Sequence, residues 1–276
     1  MGTIPLDIIL YIIDLLAGGD DEDSDFKSIR ILSQACKSMV PLCRKHLFSS
    51  ICLFSESNSK RFSDLLSKNP DIACYVKSLY YPLFISQAIG AHELNTIEIL
   101  KERSPLQAFQ ISSARHCDWN DFPESLRSSL VSLFQLPTVT FLGIYLFKEF
   151  PATALTGCGN LIELELEGLE LNFPEVNQVI SCSKIPTPVS LRIGKETYGL
   201  ADLLNSASLH LGGPIVDLSC LQWVEFDVET RNDLAQVYEL IKVTTRLAYL
   251  SLITCISGEW TGVLSLITQN INIRYF

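Results

Sequence analysis

The sequence predicts an α/β protein in which three short N-terminal helices precede a curved, irregular solenoid built on a parallel sheet. Three observations lead to this fold. Apolar residues recur at helical spacing through the first fifty positions. An apolar triplet at relative positions 1, 4 and 6 then recurs seven times, with helical segments between the triplets. Because each strand and helix unit needs a neighbour to cover its apolar ends, such units stack into a solenoid.

Composition narrows the class of protein. The chain has 276 residues, of which 47% are hydrophobic, enough for a substantial core without disulfide bonds. Its net charge of -10 disfavours nucleic acid, because proteins that bind phosphates need clustered basic residues. No apolar run reaches the roughly 18 residues that span a bilayer. We therefore expect a soluble protein that binds neither nucleic acid nor membrane.

The cellular compartment follows from the N-terminus and the cysteines. The apolar stretch from Ile8 to Ala17 has no Lys or Arg before it and contains Asp14, so it is not a secretory signal. The nine cysteines form no Cys-x-x-Cys pair. We expect reduced, mostly buried thiols and a cytoplasmic or nuclear protein.

The first helix is predicted to begin near Pro5, a residue suited to the first helical position, with Asp7 favoured by the helix dipole. Its apolar surface is wider than one stripe, so it must be covered on two sides. Glycines at 18 and 19 end it. Two more helices are predicted over 26–36 and 40–48, followed by a brief strand at Ile51 and Leu53.

Residues 3 to 54 resemble an F-box. The run from Ile4 to Leu16 is similar to the F-box opening Leu-Pro-x-Glu-Ile/Leu-Leu-x-x-Ile-x-x-x-Leu. Cys36-Lys37-Ser38 and Leu47-Phe48-Ser49-Ser50-Ile51 are similar to the Cys-Lys/Arg-Ser-Trp and Leu-Phe-x-x-Ile steps of fungal, mushroom-type F-box proteins. The chain departs from the pattern with Ile4 for Leu, Asp7 for Glu and Met39 for Trp.

The resemblance implies that an F-box-like helical module over 1–54 binds a Skp-family adaptor, and through it a cullin and a RING subunit. The adaptor-binding positions that it implies are Pro5, Leu6, Ile9, Ile12, Leu16, Leu32 and Cys36. The alternative is that these residues form only the core of a small helical subdomain. Docking is favoured because fifty residues alone can bury few large apolar side chains.

Residues 55–276 are predicted to form the solenoid, and their triplets resemble the L-x-x-L-x-L kernel of leucine-rich repeats. The first positions differ by 30, 30, 25, 27, 33 and 26 residues. The asparagine usual after the kernel is missing, and only Cys158, Cys182, Cys220 and Cys255 offer an equivalent small residue. The triplets are Val76-Leu79-Tyr81, Leu106-Phe109-Ile111, Leu136-Val139-Phe141, Leu161-Leu164-Leu166, Pro188-Leu191-Ile193, Leu221-Val224-Phe226 and Leu247-Leu250-Leu252.

Helices are expected between the triplets, and a final strand over 271–276. The predicted helical segments are 57–69, 95–103, 123–134, 174–182, 200–209, 231–243 and 258–269.

Few residues have the spacing of a catalytic or metal site. No histidine has a second ligand at zinc-binding spacing, and His116-Cys117-Asp118 is expected to be a surface loop rather than a catalytic cluster. The alternating run Glu163, Glu165 and Glu167, with Glu170 after it, predicts the solvent face of a strand, or alternatively a patch that contacts a basic target. The tryptophans are expected to pack in the core or on ridges. Trp119, expected on a loop, is also a candidate binding anchor.

Three hypotheses for function follow. The leading one is a substrate-recognition subunit of an SCF-type (cullin-RING) ubiquitin ligase, with no cofactor and no catalytic residue of its own, that holds an unknown target protein on its repeats. The second is a leucine-rich-repeat scaffold outside any ligase, whose N-terminal helices cap the solenoid. The third is a hydrolase that uses a cysteine such as Cys117, which labelling with a thiol-reactive probe would test.

Overall fold

The computed structural model describes residues 5–17, 22–84, 91–173, 184–209, 214–254 and 272–275. It has an α/β fold, in which three helices precede a nine-stranded sheet with helices between its strands. All pairings that the structure describes in this sheet are parallel. The predicted α/β class, parallel sheet and N-terminal helices are therefore confirmed.

The N-terminal helices are α1 (Leu6–Ala17), α2 (Glu22–Ala35) and α3 (Met39–Leu47). They share a small apolar core of their own, because one residue from each helix is fully or almost fully buried there. These residues are Ile13, Ile29 and Cys43.

The strands of the large sheet follow one another across it in chain order. The first strand, Ser50–Cys52, lies within the predicted 1–54 segment but pairs with the second strand of the sheet. A separate two-stranded sheet joins β5 (Phe150–Pro151) to β7 (Leu171–Asn172). The nine strands are β1 (Ser50–Cys52), β2 (Ser78–Leu83), β3 (Ala108–Asp118), β4 (Phe141–Lys148), β6 (Glu163–Glu167), β8 (Ser190–Ile193), β9 (Trp223–Val228), β10 (Tyr249–Thr254) and β11 (Asn272–Tyr275).

The helices between the strands lie at the predicted segments wherever the structure describes them, and α5 begins four residues before the predicted start at 95. They are α4 (Glu56–Lys68), α5 (Ala91–Arg103), α6 (Glu124–Phe134), α7 (Leu200–Leu209) and α8 (Arg231–Val243). Short 3₁₀ helices cover Pro70–Tyr75, Trp119–Asp121 and Ala152–Leu155. The predicted segments 174–182 and 258–269 lie outside the described residues, as do Cys182, Cys255 and Trp260.

The inner face of the sheet is formed by two rows of buried residues that run from strand to strand. The residue at position 4 of each triplet is paired with position 4 of the next strand, which makes one row. The residues at position 6 are paired in the same way and make the other row. The two rows contain Leu79, Phe109, Leu142, Leu164, Leu191, Val224 and Leu250, then Tyr81, Ile111, Ile144, Leu166, Ile193, Phe226 and Leu252.

One predicted triplet was placed wrongly. The buried triplet that leads into β4 is Val139-Leu142-Ile144, three residues after the predicted Leu136-Val139-Phe141. Phe141 precedes the buried Leu142 by one residue and therefore points to the other face of the sheet, since successive strand residues alternate. Leu136 instead packs in the turn that follows α6, where the Leu136 carbonyl accepts from the Val139 amide at 3.0 Å.

Trp119 is in the core, as expected for the tryptophans in general, but its predicted place on a loop and its candidate role as a binding anchor are wrong. Only 2% of the residue is accessible. Its ring lies 4.9 Å from that of Phe150 and 5.5 Å from that of Phe147, between ring centroids. The polar neighbours that suggested a loop form a cap instead, because the Asp118 carboxylate accepts the Asn120 amide at 2.7 Å. That cap starts a 3₁₀ turn, and the turn lets the indole point inward.

The expectation that the cysteines are mostly buried is also wrong for the part of the chain that the structure describes. All seven cysteines described there are free thiols. Apolar spacing predicts a buried position only when the helix or strand face is known, and several of these cysteines lie at element ends. Cys43 and Cys158 are buried, Cys117 and Cys220 are half-buried, and Cys36, Cys52 and Cys74 are exposed.

Gly168 follows β6 with φ at +59°, in the left-handed region that favours glycine. A Cβ atom there would lie 2.6 Å from Leu146 Cδ2 and 2.9 Å from His116 Cε1. Without a Cβ atom at this position, side chains from β3 and β4 can approach the backbone closely. The position therefore needs glycine both for its positive φ and for this close contact.

Gly168→Ala is expected to lower the free energy of unfolding by about 1 to 3 kcal/mol, because alanine is strained at positive φ and crowds Leu146. Urea denaturation measures the change. Glu196→Gly is the control, since Glu196 also has positive φ (52°) and glycine relieves that strain. It should alter the stability by less than about 1 kcal/mol. Equal stability of Gly168→Ala and the unmodified chain would contradict the role given to Gly168.

Candidate protein-binding surfaces

Helix α1 has one apolar face turned toward the other N-terminal helices. Ile13 is fully buried against Ile29 and Cys43, while Ile9 and Leu16 are half-buried against the same core. Asp14 ties the helix to α3, because its carboxylate accepts from Lys45 Nζ at 2.7 Å and lies 2.9 Å from His46 Nε2. The hydrogen bond from Lys45 is the main reason that the pKa of Asp14 is lowered. The orientation of α1 is thus determined by packing and by an ion pair.

The neighbouring side of α1 presents a second apolar face to solvent, which we call the outward stripe: Ile8, Tyr11, Ile12 and Leu15. These residues are 46%, 64%, 44% and 58% exposed. Their spacing is i, i+3, i+4 and i+7, the pattern by which an amphipathic helix binds in the groove of a partner. The sequence predicted that this helix needs cover on two sides. In the structure α2 and α3 cover one side, and the outward stripe is open to solvent.

The seven predicted adaptor-binding residues fall into an exposed group and a group that packs against the small core. Pro5, Leu6, Ile12 and Cys36 are exposed, whereas Ile9, Leu16 and Leu32 pack half-buried against the core. Cys36 Sγ lies 3.0 Å from Ser38 Oγ, and this hydrogen bond is the main reason that the pKa of the thiol is lowered.

Three residues of the outward stripe were missed by the sequence prediction: Ile8, Tyr11 and Leu15. The signal was present, since their spacing with Ile12 is that of one helix face. A second set, Ile9, Ile12, Ile13 and Leu16, has the same spacing in the same helix. The sequence therefore contained two equally good stripes, and only the packing of α2 and α3 decides which of them faces outward.

A second surface lies on the outer face of the sheet, where Glu163 is exposed and Glu165 and Glu167 are half-buried, each next to a buried leucine. This confirms the predicted solvent face of the strand. Glu165 is held by Tyr145, whose hydroxyl donates to Glu165 Oε2 at 2.8 Å and accepts from Gln110 at 3.2 Å. Burial and the adjacent Glu165 carboxylate raise the pKa of Tyr145.

Arg192, in β8, joins the strands on either side of it. Its Nη1 lies 2.9 Å from Glu165 Oε1 and its Nε lies 2.9 Å from Glu225 Oε1. Arg192 is paired with both glutamates in register across the sheet. The result is a continuous polar line from Gln110 to Glu225 across five strands.

Exposed aromatic residues lie beside this line. Trp223 is 51% exposed and packs edge-on against Tyr249, with ring centroids 5.0 Å apart. In the adjacent row, the strand register aligns Trp223 with Ser190, then with Glu163 and Phe141. Among the tryptophans that the structure describes, Trp223 rather than Trp119 is available for binding.

The His116-Cys117-Asp118 cluster was expected to be a surface loop but lies instead at the end of β3, where Cys117 and Asp118 pair with β4 after a register shift. Its side chains do not converge as a nucleophile, base and orienting group would. His116 Nε2 lies 3.8 Å from the carboxylate of Glu196, and Asp118 caps the following turn. The Cys117 amide donates to Ser113 Oγ at 2.8 Å, which is a turn contact.

Across the ranges that the structure describes, no group of three or more potential metal ligands comes together. No helix within those ranges has both the length and the apolar character required to cross a bilayer. No protein-family model matches the chain, and no curated protein has significant similarity to it. What can be proposed about function therefore rests on the outward stripe and on the outer face of the sheet.

Proposed function

We propose that this protein is the substrate-recognition subunit of an SCF-type (cullin-RING) ubiquitin ligase. The N-terminal helices bind a Skp-family adaptor, which brings the cullin and RING subunits. The repeats over 55–276 bind a target protein. The protein acts by proximity, since holding a target near the transferred ubiquitin raises its effective concentration without catalytic groups on this chain.

The observation that carries the proposal is the exposed outward stripe on α1, within the segment that resembles an F-box. Burying each Leu or Ile side chain contributes roughly 1.5 to 3 kcal/mol. Association costs on the order of 4 to 15 kcal/mol, so the stripe alone would bind weakly. Leu6 and Ile31 are also exposed, at 58% and 61%, and are available as further contacts.

The proposal includes a curved, irregular leucine-rich-repeat-like solenoid as the target-binding region. Three features support it: the strands follow chain order, the buried triplets align in rows, and helices lie between most strands. The distance along the chain between the first positions of successive triplets is uneven. It is 33 residues from Leu106 to Val139 and 22 residues from Val139 to Leu161, which agrees with an irregular repeat.

A second candidate function is a scaffold outside any ligase, in which the N-terminal helices cap the repeats. One specific observation favours it. Helix α3 contacts the 3₁₀ helix Pro70–Tyr75, and the strand after α3 begins the sheet. In addition, the Ser49 carbonyl accepts from the amides of Lys77 and Ser78 at 2.8 and 2.9 Å. The helices are therefore attached to the edge of the sheet, where a cap would be.

Adaptor binding separates the two functions. We expect the full chain and a purified Skp-family adaptor to co-elute as a 1:1 complex in size-exclusion chromatography with light scattering. A variant that lacks residues 1–47 keeps β1 and should elute alone. Far-UV circular dichroism of this variant is the control for its folding. Separate elution of the full chain and the adaptor would reject the ligase function and leave the scaffold.

A further inference from the structure

The outer face of β4, β6, β8 and β9 forms an open groove of about 200 Å³, which we call the sheet-face groove. Its floor is the row Phe141, Glu163, Ser190 and Trp223, together with Glu165, Arg192 and Glu225 of the neighbouring row. A groove of this size accommodates one or two side chains of a bound segment rather than a whole small-molecule ligand, since such ligands occupy roughly 300 to 1,000 Å³.

An apolar anchor of the partner has a defined place in this groove. Trp223 exposes half of its surface, and its ring is held edge-on by Tyr249 at 5.0 Å. A tryptophan that is already positioned by a neighbour loses little conformational freedom on binding, which is why such residues dominate binding energy at interfaces. Phe141 adds a second aromatic side chain to the lining.

The charged side chains in the groove favour a partner of positive charge. Three carboxylates, on Glu163, Glu165 and Glu225, face one guanidinium, on Arg192. Arg192 already makes ion pairs with Glu165 and Glu225, so an acidic partner would have to compete with both glutamates. Glu163 is exposed and forms no ion pair within the ranges that the structure describes. The groove therefore favours positive charge, in keeping with the net charge of -10.

We propose that the sheet-face groove binds a basic segment of the target protein, with an aromatic or aliphatic side chain placed on Trp223 and Lys or Arg side chains placed on Glu163 and Glu225. This inference rests on the target-binding role proposed above and gives that role a site and a partner chemistry. An extended segment that crosses the strands would contact the row with Trp223 and the row with Arg192 together. The two rows are only two residues apart on the same strands, so their side chains lie on the same face of the sheet.

The test is a selection from a displayed library of random twelve-residue peptides against the full chain at physiological salt. Peptides enriched on the unmodified chain, but not on the Trp223→Ala variant, should contain Lys and Arg about twofold or more above the library frequency, together with one aromatic or Leu residue. Overturning results are selected peptides without excess basic residues, or no peptide that distinguishes the two chains.

Synthetic copies of the selected peptides provide the second measurement, by fluorescence anisotropy. Trp223→Ala should weaken their binding about tenfold or more, and Glu163→Gln with Glu225→Gln by about threefold to tenfold. Glu239→Gln with Glu98→Gln is the matched control, since both residues lie on helices and the net charge changes equally. Equal losses in the control and the groove variant would overturn the proposal, because binding would then reflect net charge alone.

Peptide binding by the sheet-face groove and adaptor binding by the N-terminal helices are tested by different experiments. Peptide binding uses the chain alone, and adaptor co-elution uses the N-terminal helices. A chain that co-elutes with the adaptor but selects no basic peptide keeps its place in a ligase and loses the sheet-face groove as the target site. A chain that selects basic peptides but elutes apart from the adaptor keeps the groove and loses the ligase function.

Discussion

Ile12→Glu with Leu15→Glu is expected to weaken adaptor binding about 100-fold or more while leaving the chain folded. Both side chains are about half exposed on the outward stripe, so glutamate there remains in water in the unbound protein. In the complex the substitution removes the burial of two aliphatic side chains, each contributing roughly 1.5 to 3 kcal/mol. It also places two carboxylates in an apolar groove, which costs further free energy.

Isothermal titration calorimetry with a purified Skp-family adaptor measures this effect. Ile162→Glu is the matched control, because Ile162 is similarly exposed, at 48%, but lies beside β6. The control should bind the adaptor as the unmodified chain does. Ile9 is left unchanged in this variant because it packs against the small core, where a charged side chain would disturb the helices themselves. Unchanged affinity of the double variant would reject the outward stripe as the docking face.

Trp119→Ala is expected to lower the free energy of unfolding by about 3 to 5 kcal/mol, the range for a large aromatic residue removed from a packed core. The indole is surrounded by Phe122, Phe147 and Phe150, with ring centroids 4.9 to 6.3 Å away. Alanine would leave a cavity among three aromatic rings, which can fill it only in part. The loss comes both from the burial free energy that the indole no longer contributes and from the contacts that the three phenylalanines no longer make.

Urea denaturation followed by far-UV circular dichroism measures the loss. Trp223→Ala is the matched control within the same chain, because half of that tryptophan is exposed on the outer face of the sheet. It should cost less than about 1 kcal/mol, as substitutions of exposed residues usually do. Equal destabilisation by the two variants would contradict the assignment of Trp119 to the core and Trp223 to a binding surface.

Much of the fold could be predicted because local rules and tertiary packing agree. Helix α8 was predicted over 231–243 and has those bounds in the structure. Its start is encoded locally, since Thr230 and Asp233 form a capping box with hydrogen bonds of 2.8 and 3.2 Å. The buried rows of the sheet were predicted for a related reason: the alternation of strand residues allows only one set to face the helices.

The errors arose where two local patterns compete. In the third triplet, Leu136, Val139 and Phe141 have the required spacing, but so do Val139, Leu142 and Ile144. The pairing of Phe109 with Leu142 selects the second set, and that pairing depends on the neighbouring strand. Trp119 was misplaced because polar neighbours suggest a loop, whereas one of them caps a turn that buries the indole.

The sequence alone determined the elements of this protein: its three N-terminal helices, the alternation of strand and helix, and a first helix with more apolar surface than one neighbour can cover. These properties depend on residues close together in the chain, through caps, spacing and side-chain size. The tertiary structure alone decided which of two equivalent stripes on α1 is exposed, and which tryptophan lies in the core. It also placed Arg192 between glutamates of two adjacent strands. Those outcomes depend on which distant segments pack together, because a side chain is buried only by its neighbours in space.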